Sequence, residues 1–165
     1  MIINREWLES HDACNDGKEW FLAQGITEPV DGLINLIQND KLAWANWLIV
    51  RVMTRRQCLS YAIFSAEQVI HIYEAKHPKE LEPRKAIEAA KAVLANDTKA
   101  TRRAAAAYAS AADVAWHASY ASYDYSRASY DCVYARTAAN AAINAKKQMH
   151  LKILNYGVSL LEEKP

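Results

Sequence analysis

Residues 104–145 read AAAAYASAADVAWHASYASYDYSRASYDCVYARTAANAAINA and contain neither Gly nor Pro. Alanine has the highest helix propensity of all residues, and Gly and Pro have the lowest. The unit Ala-Ser-Tyr-Asp occurs at residues 121–124 and again at 128–131, seven residues later. Because seven residues are close to two helical turns, both copies lie on the same side of one helix, or of two helices in line. The stretch therefore predicts a helical fold.

Aromatic side chains follow one another along this stretch at steps of four and three residues, with one cation among them. They are Trp116, Tyr120, Tyr123, Arg127, Tyr130 and Tyr134. Side chains three and four residues apart share one face of a helix, so this set, the aromatic stripe, is a candidate binding surface. It carries no signature of a reaction.

The helical run around the stripe extends over residues 98–155 without a breaking residue. As a straight helix it would measure about 85 Å. A compact domain of this chain length is only about 40 Å across. The run therefore either bends back on itself or projects and dimerises. Residues 119–126 are its weakest helix formers, which favours a turn or kink there, whereas the seven-residue repeat favours one long helix.

Capping signals predict the helices before this run. A Thr-x-x-Gln capping box at Thr54 opens a helix that extends to about Lys76 and is ended by Pro78. Pro83 opens the next helix, over residues 84–95. The sequence Asn-Asp-Thr at 96–98 closes that helix and caps its successor. Thr27 is expected to cap an earlier helix that has Pro29 in its first turn.

Hydrophobic spacing predicts which faces these helices bury. Residues 42–53 form a helix with Trp44, Trp47, Leu48 and Arg51 on one face. The inner stripe of the next helix consists of Cys58, Tyr61, Ala62, Ser65, Val69, Ile72 and Tyr73. Nothing alternates with the period of two that marks a strand. We therefore expect an all-α fold, a helical bundle in which residues 1–165 form one domain with short N-terminal helices and a long Ala/Tyr-rich C-terminal helical region.

Composition indicates an ordinary globular protein of 165 residues, 52% hydrophobic and 24% charged. No apolar run approaches the roughly 20 residues of a membrane span. A secretory signal is not recognisable, and the three cysteines have no metal-type spacing. We expect reduced thiols and a cytoplasmic location.

Charge is divided unevenly along the chain. Residues 1–40 carry two basic and eight acidic side chains, a net charge of −6, and the remaining residues carry +7. The two parts could pair within the fold or across a subunit interface, or both could be solvated. A homo-oligomer is expected. A net charge of +1 disfavours binding to long nucleic acids.

Tyrosine is far commoner than phenylalanine in this chain, with nine Tyr against two Phe. Phe would pack in a core without a hydroxyl group that needs a hydrogen-bond partner. A buried phenol without a hydrogen-bond partner costs roughly 1–3 kcal/mol. The hydroxyls are therefore in water, paired, or directed at a ligand. Either the rings line an ordinary helix interface, or they line a groove for a ligand or partner.

If the stripe forms a groove, its chemistry suits a nucleotide-like small molecule. Tyr rings stack on flat rings, and Arg127 can bind phosphate or cover a ring face. The carboxylates of Asp124 and Asp131 can accept hydrogen bonds from ribose hydroxyls. Further members of the candidate ligand site are Trp47, Arg51 and Arg84.

Catalysis has weaker support. The chain has no phosphate-binding loop, no helical His-Glu-x-x-His pair and no nucleophile elbow. His117 could pair with Asp113 or Asp124, and Glu67, Glu74 and Glu88 could supply two carboxylates. His11 and Cys14 lie three residues apart, but no second pair of suitable spacing exists for a metal. We expect no catalytic residue, no cofactor and no metal.

One set of motifs extends over residues 47–90. It consists of Trp47-Leu48, Arg51, Cys58-x-x-Tyr61-Ala62-Ile63, Ala66-Glu67-x-Val69, Tyr73-Glu74 and Lys76-x-Pro78, and of the segment PRKAIEAA at 83–90 with its Ala-rich continuation. These motifs resemble those of a family of small helical proteins from bacteria and bacteriophages, the Imm-5-like immunity proteins. The resemblance extends over about residues 7–155. This chain departs from the family in the many Tyr residues of its tail. The resemblance implies an all-α fold and a neutralising, non-catalytic role.

Together these features lead to one hypothesis and two alternatives. The hypothesis is a phage-encoded anti-defence protein that sequesters a nucleotide-derived immune signal, ADP-ribose-like or cyclic, in a pocket lined by Tyr, Arg and Asp. The first alternative is an immunity-type inhibitor whose aromatic helix face covers a toxin or a host defence enzyme. The second alternative is an enzyme that degrades such a nucleotide signal.

Overall fold

The computed structural model describes residues 1–76, 78–107 and 147–163, with side chains for all of these except residues 69, 72, 73 and 76. Within these ranges every regular element is a helix, which confirms the all-α prediction. The helices are α1 (Arg5–Ser10), α2 (Asn15–Ala23), α3 (Pro29–Gln38), α4 (Leu42–Val52), α5 (Arg55–Lys76), α6 (Glu82–Ala95), α7 (described over 99–107) and α8 (Lys147–Glu162). The turn or kink expected at 119–126 lies outside the described residues.

The beginning of α3 differs from the prediction at its cap. Pro29 does occupy the first turn, but the N-cap residue is Glu28, and no side chain caps the helix. Thr27 is one residue further out, and its carbonyl oxygen accepts a hydrogen bond of 2.8 Å from the amide of Ile3. The expected Thr27 cap is therefore wrong. Its backbone instead anchors the N-terminal segment to the start of α3.

The capping box that opens α5 is confirmed. The amide of Gln57 donates to Thr54 Oγ1 at 3.4 Å, and the amide of Thr54 donates to Gln57 Oε1 at 2.9 Å. The side chain of Gln57 makes a second hydrogen bond, in which Nε2 donates to the carbonyl oxygen of Leu160 near the end of α8. The same residue thus caps α5 and joins it to the C-terminal helix.

The main core lies where α8 packs against α3, α4 and α5. Its fully buried members include Leu33, Leu48, Ile49, Tyr61, Ile153 and Leu154. The closest approach is at Gly157 of α8: a Cβ atom there would overlap Ile49 Cδ1 and lie 2.8 Å from Tyr61 Cε2. Only glycine lets the backbone of α8 come this near to α4 and α5.

The predicted inner stripe of α5 is confirmed where the side chains are described. Cys58, Tyr61, Ala62 and Ser65 are all buried. The face predicted for α4 is only partly right, because Leu48 is buried whereas Trp44, Trp47 and Arg51 are partly exposed. The neighbouring stripe of Ala45, Leu48 and Ile49 is the one that the core covers. The two tryptophans lie at the edge of the core.

A second cluster joins α5 to α6. Leu59, Ile63, Ile70, Ile87 and Val93 form its buried part. The predicted start of α6 at Pro83 is confirmed within two residues, since α6 is Glu82–Ala95 with Pro in its first turn. The cap at Thr98 is also confirmed, because Thr98 Oγ1 accepts a hydrogen bond of 3.1 Å from the amide of Thr101.

Candidate functional site

Most of the candidate ligand residues lie outside the described part of the chain. They are Trp116, Tyr120, Tyr123, Asp124, Arg127, Tyr130, Asp131 and Tyr134, and the His117 pairs lie there too. Their role in binding stays a prediction. Trp47, Arg51 and Arg84 are described, and the structure shows how each is held.

Trp47 and Arg51 contact each other on consecutive turns of α4. The Arg51 guanidinium carbon lies 4.0 Å from the centroid of the Trp47 ring. Arg51 Nη1 also donates a hydrogen bond of 2.8 Å to the carbonyl oxygen of Trp47. Stacking of a guanidinium on an indole is favourable in itself. Arg51 therefore covers one face of the Trp47 ring.

Three further tryptophans extend this pair into a larger aromatic cluster. The rings of Trp7 and Trp47 meet edge to face, with centroids 6.3 Å apart, and those of Trp20 and Trp44 lie 5.8 Å apart. Trp44 and Trp47 are three residues apart on α4 and so lie on the same side of that helix. All four side chains are partly exposed. We call the side chains of Trp7, Trp20, Trp44 and Trp47 the tryptophan surface.

Ion pairs connect α1, which carries Trp7, to α2, which carries Trp20. Arg5 forms a two-pronged contact with Glu19, with distances of 2.8 and 3.2 Å. Lys18 pairs with Glu9 at 3.1 Å. These ion pairs connect the helix that carries Trp7 to the helix that carries Trp20.

A second cation also belongs to the tryptophan surface. The Lys41 ammonium lies 5.0 Å from the centroid of the Trp44 ring and 5.8 Å from that of Trp20. His11 stacks on Trp7 with ring centroids 4.0 Å apart, and its Nδ1 lies 2.7 Å from the Trp7 carbonyl oxygen. The indole rings are thus held by neighbours on several sides and form a firmly positioned group.

Arg84 lies in a different part of the fold. It pairs with Glu74 through two short contacts, from Nε to Oε1 at 2.8 Å and from Nη2 to Oε2 at 2.6 Å. This pairing lowers the pKa of Glu74 and raises that of Arg84. Arg84 also borders an open cleft of about 310 Å³, lined by Arg84, Lys85, Glu88, Ala89 and Ala104. Arg84 lies on α6 and pairs with Glu74 of α5, whereas Trp47 packs against the main core, so the described contacts do not join them.

The structure describes the side chains of two tyrosines, Tyr61 and Tyr156. Tyr61 is fully buried, and its hydroxyl donates a hydrogen bond of 3.0 Å to Oδ1 of the buried Asn46. Burial raises the pKa of Tyr61, so its hydroxyl stays protonated. Tyr156 is partly exposed and stacks on Phe64 with centroids 4.0 Å apart. Tyr61 thus follows the expectation that an enclosed hydroxyl is paired.

The carboxylates considered for an enzyme form ion pairs between helices. Lys91 of α6 lies 2.8 Å from Glu67 Oε1 and 3.1 Å from Glu88 Oε1. This places Glu67 and Glu88 around one ammonium group, which raises the pKa of Lys91. Glu74 is held by Arg84. The arrangement suits the joining of α5 to α6.

Within residues 1–76, 78–107 and 147–163, no set of His, Cys, Asp and Glu is arranged to hold a metal ion. His150 of α8 is buried, its Nε2 has no hydrogen-bond partner in the same ranges, and burial lowers its pKa.

We also find, among the helices that the structure describes, none with the length and apolar character of a membrane span.

The tryptophan surface was missed because its members come from three helices. Spacing along α4 connects Trp44 to Trp47, but it gives no sign that Trp7 and Trp20 meet them. One signal was available: four of the five tryptophans fall within residues 1–47. Trp is rarely fully buried because it is large and carries an N–H group.

Comparisons with known proteins return no relatives. The chain matches no protein-family model, no curated protein and no solved structure.

Proposed function

We propose that this protein is a non-enzymatic neutralising protein that binds a partner protein, a toxin or a defence enzyme, through the tryptophan surface. The observation that carries the proposal is the grouping of four partly exposed tryptophans from α1, α2 and α4 at one edge of the core. The resemblance to immunity proteins, which implies a neutralising and non-catalytic role, agrees with this proposal.

The residue types of this surface are those that dominate binding between proteins. Trp, Tyr and Arg supply most of the residues whose truncation strongly weakens a protein interface. Arg51 is already stacked on Trp47, and Lys41 on Trp44, so these long side chains have lost part of their freedom before binding. A surface ordered in advance loses less conformational entropy on association.

Purification of the tagged protein from bacterial cells, followed by binding measurements with each purified partner, tests the proposal. Trp7→Ala and Trp47→Ala should weaken the partner's affinity by about thirtyfold or more, the effect of losing about 2 kcal/mol at an interface. Phe64→Ala is the matched control, because it removes a partly buried ring that packs against Tyr156 instead. Equal losses for the tryptophan variants and the control would contradict the proposal.

A second candidate function rests on the aromatic stripe. Its Tyr, Arg and Asp side chains suit a nucleotide-derived immune signal, which the protein would sequester. Incubation with ADP-ribose or cyclic nucleotides, followed by heating, separates the possibilities. Release of intact ligand supports sequestration, altered ligand indicates an enzyme, and an absence of binding leaves the partner protein. Arg127→Gln should abolish nucleotide binding in the first case.

A further inference from the structure

We infer that the partner of the tryptophan surface presents a basic segment, rich in Arg and Lys, to the helices that carry Trp7 and Trp20. This inference rests on the proposed function and specifies the chemistry of the partner. It follows from the charges that surround the tryptophan surface and from how few of them the described chain neutralises.

The carboxylates of residues 1–40 are only partly paired within the described structure. Glu9 and Glu19 pair with Arg5 and Lys18, and Asp40 pairs with Lys147 at 2.7 Å. The other five acidic side chains are exposed and form no ion pair with any residue that the structure describes: Glu6, Asp12, Asp16, Glu28 and Asp31. The partner of Asp40, Lys147, lies outside these forty residues.

Three of the five carboxylates belong to the segment that carries Trp7 and Trp20. Asp16 precedes Trp20 by four residues on α2, so both lie on one side of that helix. Glu6 lies on α1, the helix of Trp7, and Asp12 lies in the turn between α1 and α2. Carboxylates without an ion pair to a described residue therefore occur on both of these helices and in the turn between them.

The cations within the tryptophan surface do not remove this negative field. Arg51 and Lys41 lie against ring faces, and residues 1–51, which include both of these cations, still carry a net charge of −4. A field of this sign attracts a basic partner, raises its association rate and repels phosphate groups. A basic protein segment therefore fits this surface better than a nucleotide does.

NMR of the indole N–H groups tests the inference in solution. The probes are two synthetic peptides of equal length, one with alternating Arg and Leu and one with alternating Glu and Leu. The five tryptophans give five indole signals, which single Trp→Phe variants assign. The Arg/Leu peptide should shift the signals of Trp7, Trp20, Trp44 and Trp47 more than that of Trp116, and the Glu/Leu peptide should shift none.

Matched charge variants complete the test. E6Q combined with D16N should weaken binding of the Arg/Leu peptide by about three- to tenfold, as expected for two exposed charge contacts. E28Q combined with D31N removes the same charge from α3 and its cap, and should have a smaller effect. Binding without indole shifts, or equal effects of the two double variants, would overturn the inference.

Failure of this inference is distinguishable from failure of the proposed function. If Trp7→Ala weakens binding of a purified partner while E6Q with D16N does not, the surface binds a partner that is not basic. If Trp7→Ala has no effect on any purified partner, the proposed function itself is wrong.

Discussion

The hydroxyl of Tyr61 and the side-chain amide of Asn46 form a hydrogen bond of 3.0 Å in the interior, where both residues are buried. It joins α5 to α4 at the level where α8 approaches both helices, because the Tyr61 ring also contacts the position of Gly157. A single polar pair therefore lies at the meeting point of three helices. Such a pair is costly to break from one side, because the remaining partner stays buried.

Tyr61→Phe is expected to lower the free energy of unfolding by about 1–3 kcal/mol, because Asn46 Oδ1 is left without a donor. Urea denaturation followed by circular dichroism measures the change. Tyr156→Phe, at a partly exposed ring, serves as the control and should change stability by less than about 0.5 kcal/mol. Adding Asn46→Leu to Tyr61→Phe should cost less than the two single changes together. Simple additivity would contradict the pairing.

Gly157→Ala is expected to destabilise the fold by about 1–3 kcal/mol through overpacking, because the new Cβ overlaps Ile49 and Tyr61. Helix propensity alone gives the opposite sign, since Ala is favoured over Gly by about 1 kcal/mol. The thermal midpoint distinguishes the two. Asn155→Ala, at an exposed position of the same helix, should be neutral or slightly stabilising. A stabilised Gly157→Ala protein would show that α8 does not approach α4 and α5 this closely.

His150 should make the protein less stable in mild acid. Burial lowers its pKa in the folded state, so below about pH 6.5 the unfolded chain binds a proton that the folded chain does not. Its stabilising contribution is fully present above the unfolded pKa and is lost as the pH falls towards the folded pKa. The slope from this one group cannot exceed about 1.4 kcal/mol per pH unit.

His150→Gln tests this slope. The difference in unfolding free energy between wild type and variant, measured from pH 7.5 to 5.5, isolates His150 from the four other histidines. We expect the wild type to lose stability relative to the variant as the pH falls. A constant difference across this range would show that His150 accepts a proton equally in both states.

Gln57 has two separable roles. Gln57→Ala removes both the capping acceptor for the Thr54 amide and the donor to Leu160, and should cost about 1 kcal/mol or more. Gln57→Glu retains the capping oxygen but loses the amide donor. It should therefore lose protection of α8 against hydrogen exchange while α5 keeps its own. Equal loss of protection in both helices would contradict the separation.

Local signals in the sequence were enough to place the starts of four of the eight described helices. These signals are the Thr54 capping box, Pro29, Pro83 and Thr98. Each concerns only residues up to four positions away, and in the structure a helix begins close to where each one predicts. Thr27 failed as a cap because its neighbour Glu28 occupies that position and its own carbonyl binds Ile3. A shift of one residue is within the uncertainty of such boundaries.

The spacing of residues along the sequence does not show which distant residues come into contact. Steps of three and four residues fit the face of Trp44, Trp47 and Leu48 as well as the face of Ala45, Leu48 and Ile49. The choice depends on Gly157, which lies more than a hundred residues later and brings α8 onto Ile49. For the same reason the ion pair of Arg84 with Glu74, and the meeting of Trp7 with Trp47, could not be read from spacing.

The tight fit of α8 at Gly157 also bears on how the protein is made. A ribosome releases the chain from its N-terminus, so α3, α4 and α5 emerge long before the helix that covers them. Until that helix emerges, Ile49 and Tyr61 lack the neighbour that encloses them, and a nascent chain exposes apolar side chains that chaperones recognise. A chain interrupted before residue 157 would leave Ile49 and Tyr61 without the helix that covers them.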